Sequence, residues 1–225
     1  MNKTNCPPFV KEVVRLFGPG DLFVIQKMFI NISSDKVYIW TWDKNIFLER
    51  NGIENVLWSQ LVKLYKKNSF KEILVLNWPW WFTNLRVTTL CLNLLNTLQK
   101  DKIKIYDISK IDLYTHLYNK NLIPRYWIIY IWQRKNIRLY DFAKQEYTTE
   151  TIENISLDKD YFLDQVYEKW YHLHLNDKLA IKIKYTKSWF EIKFKSNKIQ
   201  IKLKDLKLKP IKQIQPNYMI DPKMN

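Results

Sequence analysis

Glu72-Ile73-Leu74-Val75-Leu76-Asn77-Trp78-Pro79-Trp80-Trp81-Phe82-Thr83-Asn84-Leu85-Arg86-Val87-Thr88-Thr89 is the stretch on which the fold turns. The run Glu72–Leu76 is apolar and short, the signature of a buried strand. The residues after it read as a tight turn and the start of a helix. A phosphate-binding protein would place glycines at such a junction, because glycine lets the backbone approach an anion closely. Here the turn is walled by Trp78, Trp80 and Trp81. Those side chains predict a plugged cleft rather than a nucleotide-phosphate site, although tryptophans can also stack on bases or mark an interface.

Outward from this junction, the periodicity predicts two helices. In Glu54–Lys67, Leu57, Leu61, Leu64 and Tyr65 share a face, while Val56, Trp58 and Val62 make the other side apolar too. In Thr83–Lys100, Val87, Leu90, Cys91, Leu94, Leu95 and Leu98 form a stripe that Leu85 and Leu92 widen. Thr83 is the expected N-cap. A helix covering one sheet needs only one apolar face. Two broadly apolar neighbours imply either burial on two sides, one of them against a partner, or a crowded internal core.

Before these helices lie three strand candidates, Met28–Ser33, Lys36–Trp42 and Asn45–Arg50, joined by turns short enough for hairpins. After them come a strand over Lys102–Asp107, a helix over Lys110–Asn119 and a hairpin over Tyr126–Trp132 and Asn136–Phe142. The order βββαβα is the layout of an α/β, RNase H-like or actin-like ATPase (ASKHA) half-domain with a mixed sheet. Fold alone does not give function. From about Ile152 the pattern changes. Tyr161–Tyr171 reads as helical. Leu179–Tyr185, Ser188–Phe194 and Lys198–Leu203 alternate apolar and lysine residues, which predicts half-exposed antiparallel strands with lysines protecting their edges. Residues 1–26 read as an N-terminal extension, with one short amphipathic helix from Phe9 to Phe17.

Composition bounds the chemistry. The 225 residues are 47% hydrophobic and 16% aromatic, values of a folded chain. No run reaches the roughly 18 apolar residues of a membrane helix. The N-terminal residues lack the apolar core of a signal peptide, and Cys6 and Cys91 form no disulfide framework or zinc knuckle. A reduced, cytoplasmic protein is the expectation. The net charge of +15 points toward nucleic acid. Lysine, isoleucine and asparagine are abundant together, however, as an AT-rich coding sequence dictates whatever the function. Three glycines stand where average usage would give about 16. There is no Walker loop and no dinucleotide fingerprint, and Gly18-Pro19-Gly20 opens a strand-like run rather than a helix.

Catalytic groups are sparse. A two-metal nuclease needs clustered carboxylates, but the first strand offers Asn31, and Asp43, Glu49 and Asp107 are dispersed. His172 and His174, with Glu168 and Asp177 nearby, lack a clear third metal ligand and read as solvent-facing. Cys91 lies among leucines and reads as core. Arg86 falls in the first turn of its helix, where the dipole disfavours a cation. It calls for a carboxylate or a partner, unless it is a snorkelling surface arginine.

The segment Trp78–Val87 resembles the Gly-Pro-Gly-Ser-Phe-Thr-Gly-Leu-Arg-Ile signature of the TsaB family, the non-catalytic Gcp-like (peptidase M22-like) partners of TsaD. Pro79, Phe82, Thr83, Leu85 and Arg86 match, and Trp78, Trp80 and Asn84 replace the three glycines. Met28–Ser33 is similar to the family's first strand, with Asn31 at the aspartate position. Asn45–Arg50 resembles its third strand. Ile131–Ile137 sits at its Asp-Ala-Arg-Arg-Gly-Glu-Val hairpin, keeping Arg134 and the apolar end. Ile214–Ile220 is similar to its closing Glu-Pro-x-Tyr-Leu-Arg. The lysine-rich strands of 178–205 and the first 26 residues have no counterpart in it.

The resemblance implies three parts: an extension over 1–26, an ASKHA-like (Gcp-like) domain over 27–145, and a smaller or degenerate second lobe over 146–225. It implies no catalytic residue, no cofactor and no metal. The implied role is tRNA threonylcarbamoyladenosine modification by heterodimerisation with a TsaD-like subunit through the two helices. Leu57, Leu61, Leu64, Val87, Leu90 and Leu94 are the expected interface, with either side of the helices able to face outward. A TsaE-like ATPase is a further expected partner, tRNA an indirect or weak one, a membrane none, and the chain alone is expected to form a homodimer. The competing expectation is a stand-alone basic RNA- or DNA-binding protein on the same fold, which would bind in a salt-steep manner.

Overall fold

The computed structural model describes residues 27–33, 36–41, 44–49, 51–77, 82–130, 136–151, 161–164, 180–186 and 189–216. The Phe9–Phe17 helix, the Trp78–Trp81 turn, the 131–135 hairpin turn and His172 and His174 lie outside them.

Strands β1 (Lys27–Asn31), β2 (Val37–Trp40) and β3 (Asn45–Leu48) form an antiparallel meander. Helix α1 (Ile53–Asn68) follows, entered through Gly52 at φ 77°, a left-handed conformation that glycine adopts without steric cost. Strand β4 (Glu72–Asn77) pairs parallel with β1, and β5 (Lys104–Ser109) parallel with β4. Helix α2 (Phe82–Leu98) connects them. The sheet order is β3-β2-β1-β4-β5, with the first three strands antiparallel and the last pairs parallel. That is the mixed α/β sheet of the RNase H-like or actin-like class. Helix α2 starts at Phe82, so Thr83 lies in its first turn rather than at the cap, within the usual spread of helix-end assignment.

Helix α3 (Lys110–Asn119), capped by Ser109 accepting from the Asp112 N–H, leads to a second sheet. Its strands are β6 (Tyr126–Tyr130), β7 (Asn136–Asp141), β8 (Glu146–Thr151), β9 (Tyr161–Asp164), β10 (Ala180–Thr186), β11 (Trp189–Phe194) and β12 (Asn197–Lys202). Their order is β12-β11-β10-β9-β6-β7-β8. The part β8-β7-β6-β9-β10 repeats the first sheet in order and direction: β6, β7 and β8 are antiparallel, while β6–β9 and β9–β10 are parallel. The pair β11–β12 is added antiparallel at one edge.

The structure corrects one expectation. Residues 161–164 form a strand, not the start of a helix. Tyr161, Phe162 and Leu163 are all buried, because a parallel strand between two neighbours is covered on both faces. The expected division at 145/146 falls between β7 and β8, which pair along their full lengths. The second sheet begins at Tyr126.

The first sheet is the middle layer. Met28, Ile30, Ile73, Val75 and Ile105 face α1 and α2, whose Ile53, Leu57, Leu61, Leu64, Leu85, Leu92 and Leu95 close that core. Phe29, Leu74, Leu76 and Ile108 face the other way, onto α3 and the second sheet. Phe29 meets Phe190 edge-on with ring centroids 5.7 Å apart. Trp127 stacks parallel to Phe162 at 5.9 Å, while Tyr114 of α3 abuts it edge-on at 4.6 Å. Each such side chain contributes roughly 1.5–3 kcal/mol by leaving water. The Arg125 guanidinium grips Asp141 through two hydrogen bonds of 2.7 and 2.6 Å, tying the start of β6 to the end of β7 and holding that carboxyl below its ordinary range.

The chain then returns to the first sheet. Ile211 bridges Ile105 at the free edge of β5. The Asn93 amide donates to the Ile214 carbonyl at 3.0 Å and accepts from the Ile214 N–H at 2.9 Å. Asn96 donates to the Lys212 carbonyl and accepts from the Ile103 N–H. These amides supply what a neighbouring strand would otherwise give. Asn93→Ala should cost about 1–3 kcal/mol and release the strap. Hydrogen exchange at the Ile214 amide measures this, and unchanged protection there would contradict it.

Candidate functional site

Leu85, the first leucine of α2, is fully buried, and Cys91, Leu92 and Leu95 follow it into the core. The helical repeat then places Arg86, Leu90, Leu94 and Leu98, four residues apart, along the opposite side. Arg86 is exposed, and Leu90, Leu94 and Leu98 are 69%, 45% and 59% exposed. Thr97 is exposed beside them, and the face carries no carboxylate. Three leucines on one solvent-facing ridge are not the scattered apolar surface of an ordinary helix.

Helix α1 packs against α2 and adds to this side. Val56 is 41% exposed. Trp58, Ser59, Val62, Lys63 and Lys66 line a shallow, mostly apolar groove along its outer surface. The combined outer face is therefore apolar at its centre and basic around it, with Arg86, Lys63, Lys66 and Lys67 exposed.

The expected interface residues divide. Leu90 and Leu94 lie outward. Leu57, Leu61 and Leu64 are 0%, 0% and 4% exposed and belong to the core under α1, so they are not surface residues. Val87 is half-buried and packs against that same core. The sequence reading missed Leu98 and Val56 as outward residues, although their apolar side chains were visible. Of the signature residues, Leu85 is core and Arg86 is exposed with no ion pair among the described residues. Pro79 lies outside the described residues, and Phe82 and Thr83 are placed by backbone alone.

The dispersed acidic groups stay dispersed. Glu49 is on the outer strand side and pairs with Lys36 at 2.6 Å. The Asn31 side-chain oxygen Oδ1, at the end of β1, accepts from the Ser33 N–H at 2.9 Å and from its hydroxyl at 2.5 Å, closing a local turn. Lys110 is buried and donates to the Ser33 carbonyl at 3.3 Å. Asp107 accepts from Asn77 at 3.3 Å, and burial pushes its carboxyl up to about 6. Among the described residues no group of three His, Cys, Asp or Glu side chains is placed to hold a metal. Burial raises the Cys91 thiol, which disfavours the reactive thiolate. No described helix is long and apolar enough to cross a membrane.

No protein-family model matches the chain, and no curated protein does. Among solved structures it is similar to YeaZ from Pseudomonas aeruginosa, at 11% identity, covering 69% of this chain and 82% of that one, with a TM-score of 0.40. A second is described as an uncharacterized protein with similarity to peptidase YEAZ from Pseudomonas aeruginosa, at 11% identity, with the same coverage and a TM-score of 0.41.

Proposed function

We propose that this chain is a non-catalytic subunit that docks onto a TsaD-like partner through the outer face of α1 and α2, supporting threonylcarbamoyl modification of tRNA adenosine. The observation that carries the reading is the Leu90–Leu94–Leu98 ridge, left exposed on the helix that the Trp78–Val87 signature opens. The ridge gives such a partner a reason to bind, and the resemblance of residues 78–87 supplies the partner's identity. Arg86 at the head of the ridge has no ion pair among the described residues, and a partner carboxylate opposite it would relieve both the helix dipole and the guanidinium.

Leu90→Glu combined with Leu94→Glu should abolish co-purification with the TsaD of the same genome. Central apolar anchors of an interface carry about 2 kcal/mol or more each, so the pair corresponds to a loss on the order of 1000-fold. The same variant should abolish any concentration-dependent dimer of the chain alone. The fold should survive, since both positions face solvent. A double variant that still co-purifies would sink the assignment.

A further inference from the structure

We propose that the outer face of β10–β12 is a docking surface for the sugar-phosphate backbone of structured RNA. The choice of RNA as occupant rests on the tRNA reading above. The surface itself rests on register. Lys182 of β10 lies directly opposite Lys193 of β11, and Lys193 directly opposite Lys198 of β12. Strands lie about 4.8 Å apart, so the backbone positions of these three lysines fall within about one Debye length. Like charges directly opposite one another destabilise a sheet. Lys202 continues the same face two residues beyond Gln200, and Lys193, Lys198 and Lys202 are all exposed. Glu191 is the face's one carboxylate among the described residues, and Lys198 holds it at 2.8 Å.

Two simpler explanations do not account for this arrangement. Lysines protect edge strands, but β10 and β11 are interior, and only β12 is the edge. Base composition raises lysine along the whole chain. Yet residues 180–216 hold eleven lysines against Glu191 and Asp205, and so carry nine of the fifteen net charges.

The chemistry of the face selects its occupant. Lysine is a compact charge that suits phosphates, whereas base-edge reading favours arginine forks. Backbone contact without sequence reading is therefore expected. A membrane surface needs apolar residues to insert; Lys193, Lys198, Gln200 and Lys202 are exposed and polar, and Trp189 stands opposite Lys202 on the same face. Protein interfaces deplete lysine from their cores.

The test is fluorescence anisotropy of the full chain with labelled tRNA across a salt series. Lys193→Gln, Lys198→Gln and Lys202→Gln together should weaken binding about tenfold or more and shallow the slope of log K against log salt by about 2 to 3. Lys63→Gln, Lys66→Gln and Lys67→Gln remove the same charge from α1 and should leave the affinity within a few-fold. Lys198→Gln also removes the ion pair to Glu191, so circular dichroism of the strand variant should show an unchanged fold before its binding is read. Four results would each overturn the proposal: a wild-type chain that does not bind tRNA at low salt, equal loss in the two triple variants, an unchanged strand variant, or tighter binding to phosphatidylserine vesicles than to tRNA. The experiment uses the chain without TsaD, and Leu90→Glu with Leu94→Glu should still bind tRNA, so failure of this surface and failure of the docking reading are separable.

Discussion

Leu61→Ala should destabilise the chain by about 2–5 kcal/mol, while Leu90→Ala, one helix away, should stay within about 0.5 kcal/mol of wild type. The two leucines are chemically identical and were equally plausible as interface residues. Leu61 is 0% exposed and sits between α1 and the first sheet, where its loss leaves a cavity. Leu90 is 69% exposed, so truncation removes little that was out of water. Urea unfolding of both variants, followed by circular dichroism, separates them. Near-equal midpoints would mean that α1 is turned differently from the orientation described. The contrast also governs how binding data are read. A charged residue at Leu61 would lose any proposed partner by unfolding the chain, so only the outward variants at Leu90 and Leu94 report on docking.

That orientation was the part the sequence could not resolve. Helices α1 and α2 were legible because Leu57, Leu61, Leu64 and Leu85, Leu92, Leu95 recur at helical spacing. Which apolar side faced inward was not, because Val56, Trp58, Leu90, Leu94 and Leu98 make the opposite side apolar as well. Sheet contacts decide it, and they are non-local. The order of the first five strands followed from the hairpin turns and the alternation of α and β. Strand β9 did not, since a short apolar run such as Tyr161-Phe162-Leu163 fits a strand or a buried helical turn equally. Strand β8 was silent for another reason. Glu146-Tyr147-Thr148-Thr149-Glu150-Thr151 has no fully buried residue and only Tyr147 packs on the core, so its place is fixed largely by pairing with β7. The lysine alternation of the last strands was plain to see. The row Lys182–Lys193–Lys198 was not, because a shift of one residue in register would dissolve it.

Asp107→Asn should raise stability at pH 7 by an amount on the order of 3 kcal/mol and flatten its pH dependence between about pH 4 and 6. Asp107 alternates with Ile105 on β5 and so faces the helix side of the sheet, as Asn77 does on β4. Burial is the largest influence on its carboxyl and raises it. The Asn77 amide opposes this, the charge of Asp112 adds to it, and the Ile108 N–H lowers it slightly. One carboxyl oxygen accepts from Asn77, and the other has no hydrogen-bond partner among the described residues. Burial prevails, and the group moves from 3.8 to about 6. A raised acid binds its proton more tightly in the folded state than in the unfolded one. Below about pH 4 both states are protonated, and the carboxylate has no cost. As pH rises toward 6 the unfolded chain ionises first, and stability falls; above 6 the full cost is present. At 1.36 kcal/mol per unit, the shift sets the magnitude above. Asparagine keeps an acceptor for Asn77 without ever ionising. Thermal unfolding of both proteins at pH 4, 5, 6 and 7 should show curves that meet at pH 4 and diverge toward pH 7, and parallel curves would place the ionisation elsewhere. The carboxylate lies at the C-terminal ends of the parallel strands β4 and β5, where open α/β sheets bind their ligands. A buried carboxylate there is held against its own stability cost at neutral pH.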